Sequence, residues 1–299
     1  MNNNFENMKF ENRGKAESTK LGGSQAMKGF WRVVQHLLLL IGGLLVIFPF
    51  VWMILTAFKT NPEAVNLTTF RLFPEKWQWI NFTNLFSQHP MARYYLNSVI
   101  YTLLRSIPSI FFAALTGFAI AKMPFKGRGM IWFLILATLI VPFQVRLIPL
   151  ADLIFGLGLR NQYWGVILPG LMEPFGIFLF AQACKAIPDS LLEAAKMDGA
   201  NAWQQFVHVV LPLLIPTLAA YAIITFMWSW GEFLWGFIVV TTPDKMPLEV
   251  GIKGFSGEHY SNIVQTMSAA TVAVLPVIAV FLAMQKQFIK GMTLSGLKG

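Results

Sequence analysis

Two groups of side chains in this sequence could do chemistry, and neither would need to break a covalent bond. The first is Ser190, Glu193, Ala194, Ala195, Asp198, Gly199, Asn201 and Gln204, a polar stretch between two long apolar runs that closes on Leu211-Pro212. Its spacing predicts a short helix, a glycine turn and a second helix. Ser190 with Glu193 fits a capping box at the first helix start. Gly199 can take the left-handed conformation that closes a helix, and Asn201 with Gln204 can cap the next. Glu193, Ala194 and Ala195 share one turn whose small side chains let another backbone approach closely, so the chemistry of this knob is docking. The second group lies inside the apolar runs: Arg105, Glu173 beside Pro174, and Trp228, Trp230, Glu232 and Trp235. Ionisable groups in hydrocarbon are costly and tend to face a bundle interior or water. A carboxylate among aromatic faces is a common way to hold a sugar ring, while tryptophans near a span end also form an interfacial belt. Arg105 reads equally as a structural partner or as a lining residue. Pro174 removes a helical hydrogen bond and permits a kink at Glu173.

The chemistry that is missing narrows the field. No Gly-x-x-x-x-Gly-Lys-Ser/Thr loop occurs, so the chain does not cradle ATP in that way. His36, His89, His208 and His259 are scattered and give neither a zinc spacing nor a base beside a nucleophile. With Cys184 as the only cysteine, an internal disulfide and a thiolate-built metal site are excluded. Neither catalysis, nor a metal, nor a cofactor is expected.

The elements that position these residues follow from composition. Of 299 residues 56% are hydrophobic and 12% charged, more apolar surface than a soluble domain of this length needs. Crossing a hydrocarbon core about 30 Å thick takes about 20 mostly apolar residues. Six segments qualify, at 37–58, 99–121, 130–149, 164–184, 207–230 and 268–288. The fold class is therefore all-α, with six transmembrane helices and the polar knob between helices 4 and 5. The first segment is too long for a secretion signal and lacks a small-x-small site after it, so it reads as an anchor.

Orientation comes from lysine and arginine in the short loops. Lys9, Arg13, Lys15, Lys20, Lys28 and Arg32 precede the first span; Lys122, Lys126 and Arg128 lie between the second and third; Lys286, Lys290 and Lys298 lie at and after the last. Six crossings put all three regions, and the knob, on the cytosolic side. The net charge of +9 fits this bias better than nucleic-acid binding, because the basic residues are dispersed.

At the knob the sequence resembles the EAA loop of binding-protein-dependent importer permeases, in which Glu-Ala-Ala, three residues and a glycine are followed later by Leu-Pro. Glu193, Ala194, Ala195, Gly199, Leu211 and Pro212 occupy those positions, with Val209 where isoleucine is common. Trp230-Gly-Glu-Phe-Leu-Trp235 is similar to the Trp-Asn-Glu/Asp-Phe-Leu-Trp of maltose-importer-type carbohydrate permeases, Gly231 departing from the asparagine. The first-loop string around Pro74, Trp77, Trp79, Asn81 and Phe82 and the ending after Gln285 are also similar to the smaller permease subunit of such importers. The resemblance covers about residues 35–299. It implies a cytosolic tail at 1–34 and a permease domain at 35–299 with a coupling loop at about 185–206. The chain would be a multi-pass protein of a bacterial or archaeal plasma membrane with both termini cytosolic. Implied partners are a second homologous permease chain, two cytosolic ATPase subunits, an extracellular solute-binding protein, membrane lipid and a carbohydrate or polyol-type solute, with no nucleic acid. Glu193, Ala194, Ala195, Asp198, Gly199 and Asn201 would couple to the ATPase, and Glu173, Trp228, Trp230 and Glu232 would line the substrate path. The alternative is a secondary transporter driven by an ion gradient, which should carry paired broken helices and intramembrane carboxylates.

Overall fold

The computed structural model of the protein describes residues 31–66, 71–255 and 262–296. The predicted tail up to residue 30 and Lys298 lie outside the described residues. Among the described residues all regular structure is helical. Five helical stretches are long and apolar enough to cross a membrane: Trp31–Ala57 (α1), Met91–Lys122 (α4), Tyr163–Lys185, Ile215–Val239 and Ile263–Gln285. Shorter helices Asn61–Val65 (α2) and Ile80–Gln88 (α3) lie between the first two.

The expected third span at 130–149 is sharply bent rather than continuous. Its two halves, Arg128–Ile140 (α5) and Phe143–Gly156 (α6), are bent by 106°. Pro142 is the cause: it has no N–H for an intrahelical bond and pushes the preceding residue out of the helical region, and Val141 sits at φ −81°, ψ 113°. The fourth span is also interrupted. Tyr163–Ile167 (α7) passes through a 3₁₀ turn at Leu168–Gly170 to an extended Glu173, after which Pro174–Lys185 (α8) resumes the helix. After the short helix Leu211–Leu213 (α11), the fifth span, Ile215–Trp230 (α12), breaks at 231–233 before Leu234–Val239 (α13), and Leu248–Lys253 (α14) precedes the last span.

The chain divides into two units, Met1–Leu55 and Thr56–Gly299. In the first, the described residues form one apolar helix with side chains such as Leu38, Leu45 and Val46 exposed, the surface a lipid-facing anchor presents. In the second, α4 is the central post. Glycine permits its close approach to α8, since a Cβ on Gly117 would run into Phe180 and the backbone of Ala181 there. Gly176 similarly leaves room for the Tyr221 ring of α12. Phe118, Phe180, Phe206, Val210 and Tyr221 fill the core thus formed. At the other end of α4, Asn97 is fully buried and fully used: it donates to Asp244 O (3.0 Å) and Met246 O (2.9 Å) and accepts from Tyr163 Oη (2.7 Å). Burying a carboxamide is tolerable because each polar atom is paired, and here it pins the 241–247 turn to the post.

Candidate functional site

The intramembrane group converges on one guanidinium. Arg105 on α4 donates from Nη2 to Glu173 Oε1 at 2.9 Å and from Nη1 to Glu232 Oε2 at 3.4 Å. Side-chain exposures are 14% for Arg105, 23% for Glu173 and 22% for Glu232, so the cluster is largely removed from solvent but not sealed. Each glutamate sits where a helix is interrupted, Glu173 at the start of α8 and Glu232 in the break between α12 and α13. Glu232 also accepts the Trp235 N–H at 3.1 Å and so caps α13. Two carboxylates share one cation, so a formal charge of about −1 stays inside the bundle, at helix starts where the backbone dipole favours it. Gly170 makes the arrangement possible, because a Cβ there would strike the Arg105 guanidinium. Below the cluster α4 presents a polar seam, in which Ser106 meets Ser229 at 3.3 Å and Ser109 meets the Tyr221 hydroxyl at 3.1 Å.

The tryptophans separate. Trp228 is 46% exposed and meets Phe175 edge-on with centroids 5.5 Å apart. Trp230 lines a recess with Tyr95, Thr102, Phe226 and Pro276 that includes none of Arg105, Glu173 and Glu232. It is 4% exposed, stacks on Phe226 and donates Nε1–H to Ala273 O at 3.0 Å. Trp235 is buried as well, donating to Gly165 O. Alternation of exposure along a helix is the reason: residues two apart on α12 lie on different faces.

The polar knob is Asp189–Met197 (α9), a turn, and Ala202–Gln204 (α10). The predicted Ser190–Glu193 capping box is not formed; Pro188 is the N-cap and the helix starts two residues earlier than that box implies, at Asp189. The Asp189 carboxylate is taken by Lys122 Nζ (2.6 Å), which also donates to Ile187 O (2.6 Å). The far end matches its sequence pattern. Gly199 has φ +85°, its N–H donates to Lys196 O at 3.0 Å and that of Ala200 to Ala195 O at 2.9 Å, the bonds of a Schellman C-cap. Asn201 and Gln204 then cap each other reciprocally, at 2.9 and 2.8 Å. The turn between α9 and α10 is thus closed by local bonds, while Lys122 of α4 holds the entry to α9. Leu192 and Phe206 face the core, whereas Glu193, Ala194, Asp198 and Gly199 are exposed and Met197 is 88% exposed. Beyond it, Gln205–Val210 winds as a π-helix before Leu211-Pro212. Pro212 and Pro216 cannot donate to the carbonyls four residues earlier, and a wider turn absorbs that mismatch.

The two sites are joined by the same helix pair. Arg105 and Lys122 lie on α4; Glu173 begins α8 and Asp189 follows it. The pair is thus clamped electrostatically at both ends and packed through Gly117 between them. Sequence reading missed the Lys122–Asp189 clamp, Gly170 and the seam. Thr102, Arg105, Ser106 and Ser109 recur at three- and four-residue spacing on α4, a signal of one polar face that periodicity could have found.

Residues 87–294 match the family described as binding-protein-dependent transport system inner membrane component. Among curated relatives, the arabinooligosaccharide transport permease AraQ of Bacillus subtilis is 32% identical, the match covering 90% of this chain and 96% of the relative. The lactose transport permease LacG of Rhizobium radiobacter is 33% identical over 87% and 94%. The sn-glycerol-3-phosphate transport permease UgpE of Salmonella typhi is 32% identical over 87% and 95%. Among solved structures, a chain of a bacterial ABC transporter that imports the acidic polysaccharide alginate superposes with a TM-score of 0.77 at 24% identity, covering 87% of this chain and 96% of that one. A second, of a bacterial alginate ABC transporter in complex with an alginate pentasaccharide-bound periplasmic protein, gives 0.60 at 15%, covering 88% of this chain and 94% of that one.

Proposed function

Because the chain belongs to the family of binding-protein-dependent transport system inner membrane components, we propose that its knob receives the stroke of an ATPase and that its Arg105 cluster lies on the path the solute takes. It is a multi-pass membrane permease of an ABC import system, and ATP hydrolysis belongs to a separate subunit. The solute is a carbohydrate or a related polyol; relatives named for arabinooligosaccharides, lactose and glycerol phosphate support that class. The assembly contains a second homologous permease, two cytosolic ATPase subunits and an external solute-binding protein. The periplasmic protein bound to the alginate transporter supports the last of these. The relatives offer no support for the ion-gradient alternative.

The observation that carries the reading is the self-capped, exposed knob hung directly on α8. Glu193, Ala194, Ala195, Asp198, Gly199 and Asn201 enter a groove on one ATPase. Closure of the ATPase pair pulls α9, and Lys122, Leu192 and Phe206 transmit the pull to α4 and α8. With 12 residues at about 1.5 Å each, α8 carries the displacement roughly 18 Å to Glu173. A packed core repacks between discrete arrangements rather than stretching, so the stroke selects between two states of the path. Glu173, Glu232 and Trp228 offer acceptors and one aromatic face to a passing solute, and Trp230 supports them from the core. Termini and knob are cytosolic, in line with the lysine and arginine distribution.

Reconstitution tests this. Proteoliposomes holding the permease pair and its ATPase, with the solute-binding protein and labelled arabinotriose or lactose outside and ATP inside, should accumulate sugar with an ionophore present. Uptake that follows an imposed ion gradient instead would overturn the reading. For orientation, Asn201→Cys in a Cys184→Ala background should react with an impermeant maleimide only after the cytosolic face is opened.

A further inference from the structure

A polar cavity lies outside everything assigned above. Asn61 of α2, Asn81, Asn84 and Gln88 of α3, and Asn262, Val264 and Gln265 at the start of the last helix, Ile263–Gly296 (α15), line a half-open recess of about 220 Å³. Six of its seven lining side chains are carboxamides and none is ionised. The recess belongs to the loops before the second and last spans, the end of the spans opposite the knob by the count of crossings.

We infer that this recess is a binding site for a neutral polyhydroxyl ligand, one sugar ring of the carbohydrate class the permease handles. That identity rests on the function proposed above, but the chemistry of the recess argues for it independently. A carboxamide offers two donors and an acceptor in a plane, and a hydroxyl both donates and accepts, so a ring of carboxamides can answer a ring of hydroxyls with no charge on either side. An ionised ligand would be desolvated here without a counter-charge. The volume lies below the roughly 300–1,000 Å³ of sites for drug-sized ligands, which limits the occupant to about one ring of a longer chain.

Hydrogen-bond use divides the carboxamides into frame and reader. Asn81 Nδ2 donates to the Ala57 and Lys59 carbonyls, both at 2.9 Å, and fixes the end of α1. Asn61 Oδ1 accepts from Val264 N at 3.4 Å, and Asn262 Oδ1 accepts from Gln265 N at 2.9 Å. These three hold the wall and keep one free side each. Asn84, Gln88 and Gln265 line the recess and spend no side-chain atom on hydrogen bonds to the described residues, which leaves them available to a ligand.

The reader residues supply variants that spare the frame. The permease pair in nanodiscs, without ATPase or solute-binding protein, is probed by saturation-transfer NMR with lactose and L-arabinose, and with glucuronate as an anionic counterpart. Both neutral sugars should receive saturation, glucuronate at least fivefold less. Asn84→Leu with Gln265→Leu should reduce the neutral signal at least fivefold with the thermal midpoint unchanged. No transfer in wild type, or transfer the double variant does not reduce, overturns the site. Variants that weaken capture of the solute-binding protein without changing the sugar signal would make the recess a protein-docking surface instead. Because the measurement involves no ATP and no uptake, failure of the importer reading would appear in the liposome assay and not here.

Discussion

The knob and the Arg105 cluster sit at opposite ends of α8 and are built on opposite principles. Apart from the Lys122–Asp189 contact at its start, the knob is held by bonds within about one helical turn: Ala200 reaches back to Ala195, and Asn201 and Gln204 serve each other. In the cluster the partners are 68 and 127 residues apart in sequence. A site made of local bonds keeps its shape when its surroundings move, which suits a part that is pushed. A site made of long-range bonds exists only while three spans hold one relative position, which suits a part that must open. If that contrast is right, damage to the cluster should be global and damage to the knob local.

The largest effect should come from Arg105→Met, which leaves Glu173 and Glu232 facing each other without a cation. Removing one member of a buried ion pair typically costs about 3–5 kcal/mol. The purified complex should unfold at a clearly lower temperature and import should be lost. A wild-type midpoint would break the comparison, because the cluster would then not be holding the spans together.

Gly199→Asp should act the other way. An L-residue at a left-handed position costs about 1–2 kcal/mol, confined to an exposed turn whose Cβ meets nothing within 4 Å. Membrane abundance and thermal midpoint should stay near wild type while uptake falls and basal ATPase activity no longer responds to the solute-binding protein. Abundance falling in step with uptake would show that the turn supports the fold and not the stroke.

Asn201→Ala sharpens the local side. Loss of an N-cap costs about 1 kcal/mol, so amide exchange should rise in residues 202–206 and nowhere in α8. Asn201→Ser, which keeps an acceptor, should restore protection. If it restores protection without restoring uptake, the carboxamide also touches the ATPase.

The same contrast governs what could be read in the sequence. The glycine turn and the second cap were legible because glycine, asparagine and glutamine act on their own neighbours. The first cap was misread although it is just as local: Pro188 fixes the helix start and Lys122, 67 residues away, draws off Asp189. Arg105, Glu173 and Glu232 were each singled out as ionisable groups in apolar runs, but their joining on one guanidinium depends on two breaks, in the fourth and fifth spans. The first of these was announced by Pro174, whereas Pro142, which bends the third span, was passed over within a run of apolar residues. Trp230 looked like its neighbour Trp228 in sequence and differs from it only in which helix face α15 covers.

Glu173→Gln should give the smallest change in stability, for a reason visible only in three dimensions. With Arg105 facing Glu173 alone, neutralising the carboxylate would strand a buried cation. Glu232 remains as a second acceptor, however, and the glutamine oxygen can still accept from Nη2. What is lost is the difference between a charge-assisted and a neutral hydrogen bond, about 1 kcal/mol. The thermal midpoint should therefore move little, while removal of the extra negative charge from the path should change uptake or the preference among neutral sugars. Glu232→Gln should behave alike in charge but also weaken the cap on Trp235 N–H, so its midpoint should fall further. Equal midpoints for the two variants would mean that the cap adds nothing. A fall in Glu173→Gln as large as that of Arg105→Met would mean that Arg105 depends on Glu173 alone and that the 3.4 Å contact to Glu232 is idle.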